Sequence, residues 1–404
     1  MKPARKLLIV TSRYPFGSQE AYLNTELAEL APYFERVVVA PMRTPSSPAR
    51  HAVPKGVEVL SWPLADVRVG GRAARALALH PGRVLRAFSQ TLRSHSPGRT
   101  KNLAAMPKAL ALAAWAEANG IDHIHAYWIS TPATVAMIAA GIAGIPWSAT
   151  AHRWDIYEEN AFDLKQRSAA FVRTISARGT ADLARRMPGL ADRILELRLG
   201  TVVSEFPAAG AAGDGRFEIV CPAALVPVKG HEYLLEALAT LRSWNVDVRC
   251  TLCGVGPLED RLRERVRQLQ LDDAVEFAGF VPQATLHGWY RAGRFQAVVL
   301  ASRNDGDTAM EGLPSALIEA VAFGVPVVAT DSGSVGELLD AGRGCLVRPS
   351  DAMALARALR EVYCNPYVAR ARAEHAHRHV ASVHDVSVQM RRLASELTGK
   401  ESHK

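Results

Sequence analysis

Two glutamates eight residues apart, Glu311 and Glu319, bracket a segment that carries Gly312, Leu313, Pro314 and Ser315 and runs on into the apolar stretch from Phe323 to Thr330. Pro314 suits the first turn of a helix, where its missing N–H costs nothing. Leu317, Ile318 and Val321 then form one apolar helical face. This places Glu311 in the loop ahead of the helix and Glu319 in its second turn. The amides around Leu313, Ser315 and Ala316 are left without intrahelical acceptors, and the positive end of the helix dipole points outward with them. Such an end suits a phosphate. A carboxylate beside it can hold sugar hydroxyls, and a second, deeper one can hold a ribose. Two carboxylates at this spacing are also compatible with ordinary solvated charges, so the surrounding pattern carries the weight.

Other side chains with chemical potential are spread along the chain. Lys229 opens a helix after an apolar strand, a place suited to a phosphate contact. His152 lies just past a strand, next to Trp154 and Asp155. His123 and His125 alternate on one strand and share a face, but no partnering ligand is near them in sequence, which points to buried, hydrogen-bonded histidines. Tyr127 and Trp128 fit either sugar stacking or core packing. Cys250 and Cys253 form a C-x-x-C, yet the stretch around them alternates like a buried strand and no second pair has ligand spacing, so the five cysteines read as thiols of a reducing compartment. Asp305 and Asp307 stand in a polar stretch just ahead of Glu311 that reads as a loop. Gly254-x-Gly256 is too short for a dinucleotide fingerprint and reads as a tight strand-to-helix turn.

At 404 residues the chain exceeds what one hydrophobic core usually supports. Short apolar runs alternate with helical stretches throughout, which implies an α/β fold with parallel sheets flanked by helices. Strands are expected at 6–12, 36–40, 122–125, 146–150, 171–175, 194–197, 217–221, 248–253, 274–278 and 295–300. The small, glycine-rich segment from Ala208 to Gly215 reads as a linker. The expected organisation is 1–205 as a first Rossmann-like domain, 206–375 as a second, and 376–404 as a C-terminal helix, part of a long helix from about Ala369, that could cross back to the first. Ligands of open α/β sheets bind at the carboxyl ends of strands. Gly17, His152, Lys229, Gly254, Phe280, Glu311 and Gly333 all follow expected strand ends.

Hydrophobic content of 49% with 22% charged residues is ordinary for a globular protein. The apolar run Leu7 to Val10 is too short for a signal peptide or membrane helix, so a cytoplasmic location is expected. Charge is uneven: residues 1–200 hold 26 Lys and Arg against 15 Asp and Glu, and residues 201–404 hold 22 against 25. Within the first half, 67–108 holds nine basic residues and no acid. That block favours an anionic partner, such as a membrane surface or a phosphorylated acceptor, or it is a solvated basic face. It lacks the interleaved aromatics and recognition module of a nucleic-acid binder.

The segment from Glu311 to Glu319, Lys229-Gly230, Gly254-x-Gly256-Pro257, Phe277-x-Gly279-Phe280-Val281-Pro282 and Ala329-x-Asp331-x-Gly333 together resemble the retaining glycosyltransferases of family 4, with the GT-B fold of two doubly wound domains facing a cleft. The stretches from Arg13 to Glu20, His123 to Trp128 and Ala151 to Ile156 are similar too. The likeness is nearest to members that build bacterial exopolysaccharides or colanic-acid-like chains. It implies sugar transfer from a nucleoside diphosphate donor to a glycan or polyprenyl-linked acceptor, with retention and with neither metal nor cofactor. By the same likeness, His152 and Glu311 would be catalytic. Lys229, Gly254, Phe280, Val281, Gly312, Leu313, Pro314, Ser315 and Glu319 would bind the donor, and Gly17, Ser18 and Glu20 would form the loop toward phosphate and acceptor. Ala224 departs from the pattern, which has an arginine there. Arg303, Arg173 or Arg153 would have to supply the missing cation; otherwise the chain is a weakened relative that scaffolds polysaccharide assembly. A sugar-nucleotide epimerase or a phosphorylase on the same fold is a further alternative.

Overall fold

The computed structural model describes residues 5–17, 20–44, 51–63, 66–94, 96–207, 215–304 and 311–399. The chain packs as two units, Met1–Gly200 with Val386–Lys404, and Thr201–Asp385. The first holds strands β1 (Lys6–Thr11), β2 (Arg36–Pro41), β3 (Val57–Val59), β4 (His123–Tyr127), β5 (Trp147–Ala151), β6 (Val172–Thr174) and β7 (Ile194–Glu196). They form one sheet in the order β3-β2-β1-β4-β5-β6-β7, and every pairing is parallel. The second unit holds β8 (Phe217–Cys221), β9 (Val248–Cys253), β10 (Val275–Gly279), β11 (Ala297–Leu300), β12 (Val327–Thr330) and β13 (Cys345–Val347). Its order is β10-β9-β8-β11-β12-β13, again all parallel. Each sheet thus reverses its strand order once, between β1 and β4 and between β8 and β11. At such a switch point the loops leaving two neighbouring strands diverge to opposite faces and leave a crevice.

The composition of the strands explains the layering. Leu7, Leu8, Ile9 and Val10 are fully buried, as are Val38, Val39 and Ala40, because helices cover both faces of a parallel sheet. Each of these Leu, Ile and Val side chains stabilises the fold by about 1.5–3 kcal/mol. The two outer strands that the sequence does not announce, β3 and β13, are three residues long and partly exposed. The long C-terminal helix expected from Ala369 is instead two helices, Pro366–Val383 and Val386–Thr398. They break where Asp385 bridges to Thr201 and the His384 carbonyl accepts from the Thr201 amide at 2.8 Å. The second of them belongs to the first unit, where it packs on the helix Tyr22–Leu30. The expected linker, apart from Gly215, lies outside the described residues.

Buried cations tie down loops at strand ends. The Lys108 ammonium donates to the carbonyls of Pro41, Met42 and Trp62, and that of Lys165 to Ile129, Ser130 and Asn160. Arg173 on β6 is fully buried and pairs with Glu26, while also donating to the carbonyls of Leu197 and Arg198. Tyr127 and the Gly200 amide complete that carboxylate's partners, so the network is satisfied. Tyr127 is therefore a core residue.

Candidate functional site

In the second unit, the loops leaving β8 and β11 meet at the switch point. Lys229 ends a short 3-10 turn, Pro227–Lys229, and Gly230 follows with φ of 60°. A Cβ there would lie 2.0 Å from the Ala301 carbonyl oxygen, so glycine alone lets this loop press against the end of β11. Gly333 repeats the device with φ of 63°, where a Cβ would lie 1.6 Å from the Glu311 carbonyl oxygen. Between these contacts the Lys229 ammonium meets the Glu311 carboxylate in a direct ion pair. The same carboxylate accepts from Ser302 Oγ at 3.0 Å and from the Gly312 amide at 3.2 Å. The Glu311 amide donates to Ser332 Oγ at 3.1 Å. Burial pushes the Glu311 carboxyl up, but the Lys229 ammonium, the Ser302 hydroxyl and the Gly312 amide outweigh it and hold it below its ordinary value.

Pro314 caps the helix Ser315–Ala322 from just outside it rather than in its first turn, since its ψ of 117° is extended. The amides of Leu313, Ser315 and Ala316 have no hydrogen-bond acceptor among the described residues. Glu319 is buried one turn further in. Gln283 Nε2 donates to one of its oxygens at 3.0 Å, and His287 Nε2 meets the other at 2.9 Å. Gln283 and His287 are four apart on the helix Gln283–Arg291 and so share a face. That pairing is a part of the site that the glutamate spacing did not reveal, though the i, i+4 spacing was there to be read. Ser302 and Ser332 carry no such signal. Phe280 and Val281 lie half-buried beyond β10. Gly254 follows β9, and a Cβ on it would lie 1.9 Å from the Ala223 carbonyl oxygen, so the glycine serves close packing of two loops. His231 opens the next helix with its imidazole buried and neither ring nitrogen partnered among the described residues; burial and the nearby Lys229 push it down to about 4, so it is neutral.

Of the three arginines considered in place of Ala224, Arg173 is held by Glu26 and Arg153 lies 3.9 Å from Asp182, both inside the first unit. Arg303 follows β11. Its amide donates to the Val228 carbonyl at 2.8 Å, and its Cγ lies 3.4 Å from the Cβ position of Gly230. Arg303 is therefore the one that stands beside Lys229.

In the first unit, the strand-end residues form a second cluster. Glu20 is buried and accepts from the amides of Ser12, Arg13 and Tyr14 at 3.2, 2.7 and 2.7 Å. The oxygen that accepts from Ser12 also accepts from Trp128 Nε1 at 2.7 Å, and the other takes the Arg13 and Tyr14 amides. Trp128 has φ of 100°, an uncommon backbone conformation for a bulky side chain. Its ring lies 4.3 Å from that of His152, whose Nε2 is 3.0 Å from the Tyr22 hydroxyl. The Asp155 carboxylate accepts from the His152 and Ile129 amides and fixes this corner. Burial, reinforced by Arg173, pushes His152 down to about 3, so its imidazole is neutral. Gly17 closes the turn after β1, its amide donating to the Arg13 carbonyl at 3.2 Å. Ser18, Asp305 and Asp307 lie outside the described residues. His123 and His125 are buried, bonded to Ser148 and Thr150 of β5. Cys250 and Cys253 are buried thiols, pushed upward by burial. Among the described residues no three His, Cys, Asp or Glu side chains are grouped to hold a metal ion.

Two parallel sheets with helices on both faces, in orders 3-2-1-4 and onward, define the GT-B fold. Solved structures share it. The Anabaena protein HepE in complex with UDP-glucose aligns over 97% of this chain and 99% of its own with a TM-score of 0.71 at 20% identity. A sucrose-phosphate synthase of Thermosynechococcus elongatus aligns over 98% and 100%, with a TM-score of 0.71 at 18% identity. Within that fold, residues 203–379, most of the second unit, match the family described as glycosyl transferases group 1. The chain is 36% identical over 172 residues to the putative colanic acid biosynthesis glycosyltransferase WcaL of Salmonella typhimurium, which covers 42% of each chain. It is 33% identical over 142 residues to the amylovoran biosynthesis glycosyltransferase AmsK of Erwinia amylovora, covering 35% of this chain and 34% of that one. The matched segments thus span less than half the length of these curated relatives.

Proposed function

We propose that the chain transfers a sugar from a nucleoside diphosphate to a hydroxyl of a glycan or lipid-linked acceptor in polysaccharide assembly, with retention at the anomeric carbon and with neither metal nor cofactor. The observation that carries this reading is the Lys229–Glu311 ion pair at the switch point of the second sheet. A diphosphate arriving there competes for the Lys229 ammonium, and Glu311 is released to accept hydrogen bonds from sugar hydroxyls. The uncapped amides of Leu313, Ser315 and Ala316 add positive potential where negative charge builds on the leaving group. Glu319, steadied by Gln283 and His287, suits the two hydroxyls of a ribose. The names of the matched relatives, in colanic acid and amylovoran biosynthesis, support a polysaccharide acceptor, and the UDP-glucose in the HepE structure supports a nucleotide-sugar donor.

In the step itself, the bond from the anomeric carbon to the β-phosphate oxygen breaks and one to the acceptor oxygen forms on the same face. The acceptor's proton goes to the departing phosphate oxygen. His152 is too weak a base to take that proton at neutral pH, so its part is to donate or accept a hydrogen bond as a neutral ring. The test is a thermal-shift screen against nucleoside diphosphates, followed by transfer assays with the stabilising nucleotide's sugars, with and without a chelator. A rise in melting temperature with one nucleoside diphosphate and chelator-resistant transfer is the expected result. No shift with any of them, or an epimerised sugar formed from donor alone, overturns the reading.

A further inference from the structure

Two helices of the first unit, Val67–Leu79 and Pro81–Arg93, turn large apolar side chains to solvent. Val67 is 86% exposed, Leu85 68%, Phe88 46% and Leu92 48%. Leu85, Phe88 and Leu92 fall at i, i+3 and i+7 and share one side of their helix. The inward side of that helix is a different one, carried by Val84 and Thr91. Core packing accounts for the inner stripe and leaves the outer one without a partner among the described residues. Isolated exposed leucines need no explanation, but an ordered stripe does.

The charges beside that stripe are more selective than the sequence count implies. Of the nine basic residues in 67–108, Lys108 is buried on three carbonyls, Arg68 pairs with Asp66, Arg83 donates to the Ile142 carbonyl, and Arg72 lies over the Trp62 ring. Arg75, Arg86, Arg93, Arg99 and Lys101 remain exposed and make no hydrogen bond or ion pair among the described residues. Arg86 and Arg93, seven apart, flank the Leu85, Phe88 and Leu92 stripe. Apolar side chains bordered by unpaired cations are poorly placed in water and well placed at the boundary between lipid headgroups and acyl chains.

We propose that this face docks on an anionic lipid bilayer, with Leu85, Phe88 and Leu92 in the acyl boundary and the arginines on lipid phosphates. Nucleic acid would satisfy the charges but not the leucines. A second copy of the chain would bring the same cations face to face. The proposal is independent of the reaction argued above.

The experiment is flotation of the full chain with zwitterionic vesicles and with vesicles holding about 30% anionic lipid, at low salt and at about 0.5 M salt. Wild type should bind the anionic vesicles at low salt and lose most of that binding at high salt. Arg75→Ala, Arg86→Ala and Arg93→Ala combined should weaken anionic binding by roughly a hundredfold, at about fivefold per arginine. Leu85→Ser, Phe88→Ser and Leu92→Ser combined should weaken it by about tenfold. Both triple variants should keep the wild-type melting temperature and nucleotide binding, since all six positions are exposed and outside the candidate site. Absent binding of wild type to anionic vesicles at low salt overturns the proposal. So does binding that neither triple variant changes, and so does a dimer or nucleic-acid complex that forms through this face without any lipid binding.

Discussion

Glu20 in the first unit and Glu311 in the second are both buried carboxylates that follow a strand at the switch point of a parallel sheet. Their partners differ. Glu20 is surrounded by fixed donors, three backbone amides and the Trp128 indole. Glu311 has two fixed donors, Ser302 and the Gly312 amide, and one cation at the end of a long side chain, Lys229. A carboxylate held by backbone amides has nothing to exchange with a ligand, so its role is to hold the loop after β1 in shape. A carboxylate held by an ammonium can trade that partner when a phosphate offers the ammonium a better one. The same residue type beside the two switch points is thus held by fixed donors in one sheet and by an exchangeable partner in the other, which is what the proposed function needs of a binding group.

The largest expected effect breaks the exchangeable side of that comparison. Glu311→Gln keeps the shape but removes the charge that pairs with Lys229 and that, in the proposed function, accepts from sugar hydroxyls. Turnover should fall by about 10³-fold, the scale of losing an electrostatic contact made at the reacting group, while the melting temperature falls less than in Lys229→Met, because the Lys229 ammonium is the more exposed partner of the pair. Steady-state transfer kinetics and a melting curve check both halves.

Lys229→Met should come next. It leaves the Glu311 carboxylate buried without its cation, at a cost of about 3 kcal/mol at neutral pH. The pH dependence has a definite sign. In wild type the Glu311 pKa is lowered, so its contribution is present above the ordinary carboxylate range and is lost as pH falls through the depressed value. Without Lys229 the burial effect prevails, the pKa rises, and the variant regains stability as the group protonates. Denaturation midpoints of the two proteins should therefore converge on acidification and separate toward pH 8. A constant gap would show that the ion pair is not what holds Glu311.

Glu20→Gln sharpens the fixed side. The amide nitrogen of Gln would face backbone N–H groups that now donate to a carboxylate oxygen. A loss of about 2 kcal/mol is expected from the broken charge-assisted bonds. Nucleotide binding by the second unit should not change, as calorimetry would show. A weakened nucleotide affinity would place Glu20 among the binding groups after all.

Much of this frame was legible in the chain, for physical reasons that also mark where reading stopped. Strands buried on both faces need apolar runs, so β1 and β2 stand out in the sequence, whereas β9 shows by alternation. β3 and β13 are short, partly exposed edge strands with no such need and left no trace. The break at His384 and Asp385 carries neither proline nor glycine; it follows from the bridge to Thr201, a contact far away in sequence. Glu311 and Glu319 were visible through their spacing around a helix start. The use of Glu20 was not, because three of its four partners are backbone amides, and a sequence says nothing about which way those amides point. The basic block at 67–108 was visible as composition, but only the structure separates Lys108, inside the core, from Arg86 and Arg93, outside it.

The smallest effect concerns the arginine missing at Ala224. Lys229 alone brings one positive charge, and Glu311 already balances it, so a diphosphate needs a further cation. Arg303 stands beside Gly230 with its backbone fixed to Val228. Arg303→Ala should weaken nucleoside diphosphate binding by about tenfold, the loss of one partly solvated charge-assisted contact. Ala224 is half-exposed, so Ala224→Arg can be accommodated and should recover much of that loss in the Arg303→Ala background. Titration calorimetry on the four proteins closes a double-mutant cycle. If the two arginines serve one phosphate, the gain from Ala224→Arg is larger when Arg303 is absent than when it is present. Strict additivity would mean that Arg303 acts elsewhere and that the second unit binds its anion through Lys229 and the helix amides alone.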